Sequence, residues 1–368
     1  MKILLVSANF RPSVGGIERY VEILAGALGR RGHEVVVLAC RSGGAPREEN
    51  ADGFRIVRVP ASNVLRKVTN VPYPLPSPVP TIRTLRGLLA WADVVNPHDA
   101  IYATSVASLR LARRHGVPSV LTQHVAFVPQ RRRALDAAQR VAISTLGRAS
   151  RLATRVVSYN PAVAQWAKET WGVADVEVVP PGVPDPPAVD REALRRELGL
   201  TPDRFVALFV GRDVPKKGLD LVLAARDPAY DLVAVTDRPQ PAAPDGVRIL
   251  PFIEPERLRE LLCCADAFVL PSEGEGFPLS LQEALVTGLP SVVTSGPGYS
   301  HYLRDGEVIL VERSPTAIRE ALRRLAEDEP HRRDLAERAR QAGRREFGVD
   351  RFAEAYERVF GEALESRA

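Results

Sequence analysis

Short apolar segments alternate with amphipathic stretches along most of the chain, and this alternation limits the possible folds more than any other feature. The candidate strands of the first half cover residues 3–6, 35–38, 56–59, 94–95, 120–122 and 156–158. Between the first two, apolar residues from Ile17 to Leu28 recur at the spacing of one helix face. Strands separated by helices predict a parallel sheet covered by helices, so the first half predicts an α/β domain.

A second set of strand patterns follows a break in composition. These patterns cover residues 205–212, 232–236, 248–252, 267–270 and 291–294, and helical patterns cover 316–325, 330–346 and 352–364. The break lies at residues 178–190, where prolines are frequent. A chain of 368 residues is long enough for two domains of ordinary size. We therefore predict domains over 1–183 and 184–345, with a final helical segment over 346–368.

Composition excludes several classes of protein. Hydrophobic residues make up 45% of the chain and charged residues 26%, as in globular proteins. The N-terminus enters a strand pattern at Lys2 without the apolar region of an export signal, and no apolar run reaches the roughly 18–20 residues of a membrane helix. Cys40, Cys263 and Cys264 lack metal-site spacing and an obvious disulfide partner. These features predict a cytoplasmic protein.

Net charge limits the possible partners. The value of +5 is low for a protein that binds nucleic acid, so no nucleic-acid partner is expected. It is compatible with anionic substrates or an anionic membrane surface. Arginines are concentrated between Arg131 and Arg155 at partly helical spacing. This stretch predicts either a solvated helix face or a basic face on anionic lipid, and the sequence leaves both open.

The segment from 267 to 290 carries the most specific chemistry. An apolar strand, a glycine loop and a short helix follow one another, with Pro278 at the predicted first helical position and Gly288 at its end. Glu275 stands in the loop and Glu283 in the helix. A helix N-terminus suits a phosphate, and carboxylates accept hydrogen bonds from hydroxyl pairs. The segment therefore predicts a nucleotide-sugar site, although two solvated glutamates would give the same pattern.

A second candidate site lies at the start of the second domain. Gly211 and Arg212 end a strand pattern, and Lys217 and Gly218 precede a helix that begins at Leu219. Arginine binds a diphosphate with two donors, and lysine adds a point charge. Such a loop is a weak signal by itself.

The first domain carries weaker signals of its own. Gly15 and Gly16 precede the first helix, where backbone could approach a ligand. His98 and His124 each follow a strand, at the end where parallel sheets bind ligands. No Asp, Glu or Cys stands at ligand spacing from the two histidines, so no metal is expected, and no G-x-G-x-x-G segment indicates a dinucleotide cofactor. Residues 60–82, rich in proline, predict a surface connection without helix or strand.

Together these segments resemble the retaining glycosyltransferases often called GT4. The matches are E-x7-E within PSE-x-EGFP-x-S-x-x-EA-x-x-x-G-x-P, G-R-x-x-x-x-K-G at residue 211, and P-x-x-G-G-x-E before the first helix. The resemblance implies the GT-B fold, in which two facing Rossmann-like domains with parallel sheets enclose a cleft and the last helix returns to the first domain. It also implies transfer of a sugar from a UDP- or GDP-sugar to an acceptor hydroxyl, without a metal or a resident cofactor.

The resemblance also assigns roles to residues. It implies that Glu275 and His124 contact the donor sugar, that Glu283 binds the ribose, and that Arg212 and Lys217 oppose charge on the diphosphate. His124, Glu275, Arg212 and Lys217 are thus the catalytic candidates. The implied donor-binding set is Gly15, Gly16, Gly211, Arg212, Lys217, Phe252, Ile253, Glu275, Gly276, Phe277, Pro278, Leu279 and Glu283, with Phe252 and Ile253 beside the base.

The chain departs from the family pattern at three places, and two alternative functions stay open. The family often has G-x-G where this chain has Thr236-Asp-Arg, commonly has Glu near His301, and usually has Asn at Pro181. A sugar-nucleotide epimerase of the same fold, or a non-catalytic partner that binds a nucleotide sugar or glycan, would share much of the pattern. The acceptor is a glycan, a lipid-linked molecule or a small molecule, and the Pro-rich 60–82 segment is expected to help bind it.

Overall fold

A computed structural model describes residues 1–13, 15–42, 44–64, 73–125, 143–238, 245–273, 277–294 and 302–366. The chain folds into two compact units. The first unit is Met1–Gly182 with Phe352–Ala368, and the second unit is Val183–Arg351. The predicted domain limits of 1–183, 184–345 and 346–368 stay predictions.

The first unit is built on a parallel sheet. Its strands are β1 Lys2–Val6, β2 Glu34–Cys40, β3 Glu48–Ala51, β4 Phe54–Val59, β5 Ala61–Ser62, β6 Leu75–Pro76, β7 Val94–Pro97, β8 Val120–Gln123, β9 Arg155–Ser158 and β10 Glu177–Val178. Hydrogen bonds give the orders β3-β4-β2-β1-β7 and β8-β9-β10. Parallel bridges at Val95–Ser119 and His98–Thr122 join β7 to β8. β3 pairs antiparallel with β4, and β5 and β6 form a separate antiparallel pair.

Helices cover this sheet. Those in the described ranges include α1 Gly16–Arg30, α2 Pro78–Trp91, α3 Ala103–His115 and α4 Pro161–Trp171, with a 3-10 helix at Gly147–Leu152. The expectation that 60–82 lacks regular structure is wrong at both ends, because β5 and β6 pair and α2 begins at Pro78. Proline is tolerated there because the first helical N–H groups have no intrahelical partner. Leu85, Leu88 and Leu89 then bury one face of the helix.

Within the described ranges, the second unit has a sheet of six parallel strands. They are β11 Val206–Val210, β12 Asp231–Val235, β13 Val247–Leu250, β14 Ala267–Leu270, β15 Ser291–Thr294 and β16 Ile309–Val311. Their order is β13-β12-β11-β14-β15-β16. The helices are α5 Arg191–Glu197, α6 Leu219–Ala224, α7 Pro255–Cys264, α8 Leu279–Thr287, α9 Pro315–Glu327 and α10 Glu329–Phe347, with a 3-10 turn at Pro215–Lys217. Each strand predicted from the sequence is confirmed by an overlapping strand in the structure.

The last helix, α11 at Val349–Glu365, returns the chain to the first unit. Its buried face includes Phe352, Tyr356 and Phe360. The Tyr356 hydroxyl lies 2.7 Å from Thr122 Oγ1 and 2.9 Å from the Tyr20 hydroxyl. None of the helices in the described ranges is long and apolar enough to span a membrane.

The two sheets share one winding order, and this order locates candidate sites. In each sheet the chain starts at a central strand, winds to one edge, and then returns to fill the other side. The winding reverses between β1 and β7 in the first unit and between β11 and β14 in the second. Open parallel sheets bind ligands beyond the carboxyl ends of the strands at such a reversal. Candidate ligand sites are therefore expected in the loops after β1, β7, β11 and β14.

Candidate active site

In the second unit, the loop after β11 carries two cations beside the reversal point. Arg212 is exposed and Lys217 is half-buried. A Cβ on Gly211 would lie 3.6 Å from Lys217 Cδ, so the lysine stem runs along the end of β11. The structure thus places Gly211 and Arg212 directly after β11 and the Lys217 side chain beside Gly211.

The turn that carries Lys217 rests against the loop after β14. Gly218 has a φ of +71°, and a Cβ there would lie 2.9 Å from the carbonyl oxygen of Pro271. Glycine is required at this position because it tolerates both the left-handed backbone and the close approach. The Glu273 N–H donates to the Lys216 carbonyl at 2.8 Å, which joins the two loops a second time.

The N-terminus of α8 lies at the same edge. Ser280 Oγ donates to the Val210 carbonyl at 3.3 Å, which places the first turn of the helix at the end of β11. Pro278 is the N-cap and not the first helical residue, so the prediction was one residue early. Its ψ of 136° is extended, as an N-cap requires. No acidic side chain lies in the first turn, so the partial positive charge of the N-terminus adds to the two cations.

The remaining donor-site candidates surround this edge. Glu283 is half-buried on α8, Leu279 is exposed, and Phe252 after β13 is 69% exposed beside half-buried Ile253. Phe277 packs against Phe347 and Tyr302, with ring centroids 4.8 and 5.2 Å apart. Glu275 and Gly276, like His301, lie outside the described residues, so their assigned roles stay predictions.

Sequence reasoning missed a link between the loops after β11 and β12. The Asp213 N–H donates to Asp237 Oδ1 at 2.8 Å, and this bond lowers the pKa of the Asp237 carboxyl. Asp237 stands where the family often has G-x-G. Asp237 therefore supplies a hydrogen-bond acceptor that holds the backbone of Asp213, the residue that follows Arg212.

In the first unit, the reversal point is a buried, neutral polar cluster. His98 follows β7 and His124 follows β8, with His98 Nδ1 and His124 Nε2 2.9 Å apart and the rings stacked. Burial lowers the pKa of His124 to about 3 and holds that of His98 well below its usual range. Both imidazoles are therefore neutral near pH 7. Because Nε2 of His124 is engaged by His98, Nδ1 is the ring nitrogen left for a ligand.

Asp99, which the sequence did not single out, fixes the position of His124. Its Oδ1 accepts the backbone N–H groups of His124 at 2.8 Å and Val125 at 3.3 Å. Asp99 has a φ of +56°, a left-handed conformation that aspartate tolerates better than most residues. Burial raises the pKa of its carboxyl to about 7, although the two N–H bonds act in the opposite direction. Its place directly after His98 at a strand end was the available signal.

A chain of hydroxyl groups supports this cluster from behind. Asn96 Nδ2 donates to Thr122 Oγ1 at 2.9 Å, and Thr122 contacts the Tyr356 hydroxyl, which contacts that of Tyr20. The Tyr20 ring meets His124 edge to face at a centroid distance of 4.5 Å. Tyr356 comes from the last helix, so no local pattern could have placed it here.

Gly15 and Gly16 lie at the start of α1, where Gly15 is the N-cap. The carboxyl of Glu18 folds back over this position, since a Cβ on Gly15 would lie 2.2 Å from Glu18 Oε2. Burial raises the pKa of Glu18. The predicted role of the two glycines beside donor phosphates stays a prediction, and any anion there would have to displace this carboxyl group.

Within the described ranges, no three His, Cys, Asp or Glu side chains converge closely enough to hold a metal ion. The chemistry that the described residues offer is thus an anion site in the second unit and a neutral hydrogen-bonding site in the first. Two units of one α/β winding order, each with polar groups at the reversal point of its sheet, are the arrangement expected for the GT-B class.

Comparisons with known proteins agree with this class. Residues 14–185 match the family model Glycosyltransferase Family 4, and residues 242–342 match Glycosyl transferases group 1. A GDP-mannose-dependent alpha-mannosyltransferase of Mycobacterium tuberculosis is 32% identical, over 81% of this chain and 80% of its own. A D-inositol 3-phosphate glycosyltransferase of Xylanimonas cellulosilytica is 31% identical, over 96% and 93%.

Solved structures show the same fold. Alr3699/HepE of Anabaena, solved in complex with UDP, is 17% identical with a TM-score of 0.69, over 98% of this chain and all of its own. The chain belongs to the GT4-like glycosyltransferases of the GT-B fold and is a glycosyltransferase.

Proposed function

We propose that the enzyme transfers a sugar from a UDP- or GDP-sugar to an acceptor hydroxyl, with retention at the anomeric carbon and without a metal. The observation that carries this proposal is the convergence of Arg212, Lys217 and the N-terminus of α8 at the reversal point of the second sheet. These groups place positive charge at one sheet edge, which suits a diphosphate.

The proposed chemistry is stabilisation of the leaving group. As the bond between the anomeric carbon and the β-phosphate oxygen breaks, negative charge grows on the diphosphate. Arg212 and Lys217 oppose that charge more strongly in the transition state than in the bound donor. The acceptor oxygen forms the new bond on the face that the diphosphate leaves, and its hydroxyl proton passes to the departing phosphate oxygen. Glu275 and His124 orient the sugar and do not attack it.

The nucleotide is proposed to lie between the diphosphate groups and the end of β13. Glu283 accepts hydrogen bonds from the ribose, and the base packs on exposed Phe252 beside Ile253. One relative is named as GDP-mannose-dependent and one solved neighbour was determined with UDP, which supports testing both bases.

The acceptor and the membrane are separate parts of the proposal. Among the described arginines of the 131–155 stretch, Arg151 donates to the Trp171 carbonyl at 2.6 Å and Arg155 pairs with Glu362 at 3.4 Å. These two guanidinium groups are engaged within the protein, whereas Arg148 is exposed. The engagement of Arg151 and Arg155 favours the solvated-surface alternative. The residues from 126 to 142 lie outside the described ranges. A lipid-linked acceptor, an anionic membrane partner and a cytoplasmic location stay predictions.

A thermal-shift screen of UDP, GDP and ADP sugars, with and without EDTA, tests the donor. A ligand that binds the folded state raises the melting temperature, by an amount set by its concentration relative to Kd. The hit should then release its nucleoside diphosphate when acceptor is present. Donor-sugar interconversion without release would indicate the epimerase alternative, and binding without turnover would indicate the non-catalytic one.

A further inference from the structure

Arg313, which no sequence motif marked, is held firmly in place at the far side of the second sheet. It lies between the end of β16 and the start of α9. Ser314, the next residue, caps α9 by accepting the Ala317 N–H on its hydroxyl at 3.2 Å. The Ser314 N–H in turn donates to the Glu312 carbonyl at 2.7 Å. The backbone on both sides of Arg313 is therefore ordered by hydrogen bonds.

The guanidinium group of Arg313 bridges two loops that are far apart in sequence. Nη2 donates to the carbonyl of Pro215 at 2.5 Å, and Nε donates to the carbonyl of Pro271 at 3.1 Å. Pro215 begins the turn that contains Lys217, and Pro271 directly follows β14. These are the two loops that flank the reversal point of the sheet. Arginine suits this task because its planar, rigid fork can satisfy two acceptors at once.

The bridge adds to two other restraints. The Glu273 N–H bond to the Lys216 carbonyl and the close contact of Gly218 with Pro271 also join the loops, but both come from the loops themselves. Arg313 is anchored outside them. It therefore fixes the pair of loops against the sheet, in addition to fixing them against each other.

We propose that Arg313 is a positioning residue that acts through Lys217, by holding the lysine turn at the distance from the α8 N-terminus at which both can engage one diphosphate. The inference rests on the proposed function, because the ligand is the diphosphate of the donor. Arg313 donates to two backbone carbonyls, and its Nη1 lies 3.9 Å from Glu273 Oε2 in the loop after β14. It is not assigned a contact with substrate.

A double-mutant cycle tests this inference. The Kd values of free GDP and UDP are measured by calorimetry for the wild type, R313A, K217A and the double variant, beside kcat and KM for the donor. We expect R313A to weaken nucleotide binding about tenfold, which is the size expected for one charge-assisted contact. In the K217A background, R313A should change Kd by less than about twofold, since residues that act as a unit are not additive.

Two further variants separate positioning from general stability. R319A is the matched control, because Arg319 also donates to a backbone carbonyl, that of Ala224 at 2.8 Å, but outside the two loops. R319A should leave Kd unchanged. R313K, which can satisfy only one carbonyl well, should recover part of the affinity and remains informative if R313A does not fold.

Binding by R313A at the wild-type Kd, or an equal loss from R313A with and without Lys217, would overturn the inference and leave the proposed function standing. Failure of the wild type to bind either nucleotide would instead overturn the proposed function. The two failures are thus distinguishable in one data set.

Discussion

The carboxyl ends of the two sheets share a strand order but differ in chemistry. In the first unit, His98 is 1% exposed and Asp99 fully buried, and the two histidines are neutral near pH 7. In the second unit, exposed Arg212 and half-buried Lys217 present charge beside a helix N-terminus. One winding order thus supports two kinds of recognition, because burial favours neutral hydrogen bonding and exposure allows charge.

The largest expected effect tests the charged edge of the second sheet, which carries Arg212 and Lys217. Arg212→Ala and Lys217→Ala should each remove about 2–4 kcal/mol of transition-state stabilisation, so donor turnover should fall about 10²–10³-fold. The measurement is kcat/KM for the donor, with circular dichroism to verify folding. Lys216→Ala is the matched control, because exposed Lys216 is adjacent but unassigned, and it should lose far less. Near-normal kinetics in both variants would remove the diphosphate assignment.

The second effect separates two glutamates of one motif. Loss of a charged hydrogen-bond acceptor typically costs about 1.5–3 kcal/mol. Glu283→Ala should therefore weaken UDP or GDP binding roughly tenfold or more, because the ribose is present in free nucleotide. Glu275→Ala should leave that binding nearly intact and still abolish most transfer. Calorimetry with the free nucleotide beside turnover assays decides this, and the reverse pattern would exchange the two roles.

A third effect tests the neutral edge of the first sheet, which carries His98 and His124. His124→Ala removes a neutral hydrogen-bonding group, so we expect turnover to fall about tenfold, corresponding to ~1.5 kcal/mol. The Kd of free nucleotide should stay unchanged, because the assigned partner of His124 is the sugar. His115→Ala serves as the control histidine, since His115 is exposed at the end of α3. A loss of nucleotide affinity in His124→Ala would contradict the division of labour between the two edges.

The smallest effect concerns stability. Burial raises the pKa of Asp99 to about 7, above the value of about 4 for an unfolded chain. The folded state therefore binds this proton more tightly, so the stabilisation is fully present below about pH 4 and is lost as the pH rises through about 7. Asp99→Asn should remove that loss. Its Tm at pH 8 should exceed that of the wild type by about 2–4 °C, corresponding to ~1 kcal/mol.

The two histidines should change stability with pH in the direction opposite to Asp99. The lowered pKa values of His98 and His124 make stability fall as the pH falls below about 6.5. Between about pH 4 and 6.5 this fall opposes the Asp99 contribution, so Asp99→Asn should make the fall steeper and should remove the loss of stability that continues to about pH 7. Thermal melts of both proteins from pH 4 to 8 test this, and the same slope in both proteins between pH 4 and 7 would show that Asp99 is ionised in the folded protein without cost.

Much of the charged edge could be predicted from contiguous residues. Gly211, Arg212 and Lys217 lie within one loop, and Pro278, Leu279 and Glu283 within one strand–helix unit, so local patterns placed them at strand ends. The neutral edge was predicted only at its histidines. Asp99 and the Tyr356 hydroxyl depend on partners that sequence spacing does not specify, because Tyr356 is 234 residues from Thr122.

The sequence by itself determined the alternation of strands and helices, the parallel character of the sheets and the residue types at the strand ends. These follow from periodicity, glycine and proline, which act over a few residues. Only the tertiary structure decided that Arg313 reaches a carbonyl 98 residues away and that Asp99 holds the His124 backbone. It also decided which groups are charged, because burial sets a side chain's pKa and burial exists only once distant segments pack together.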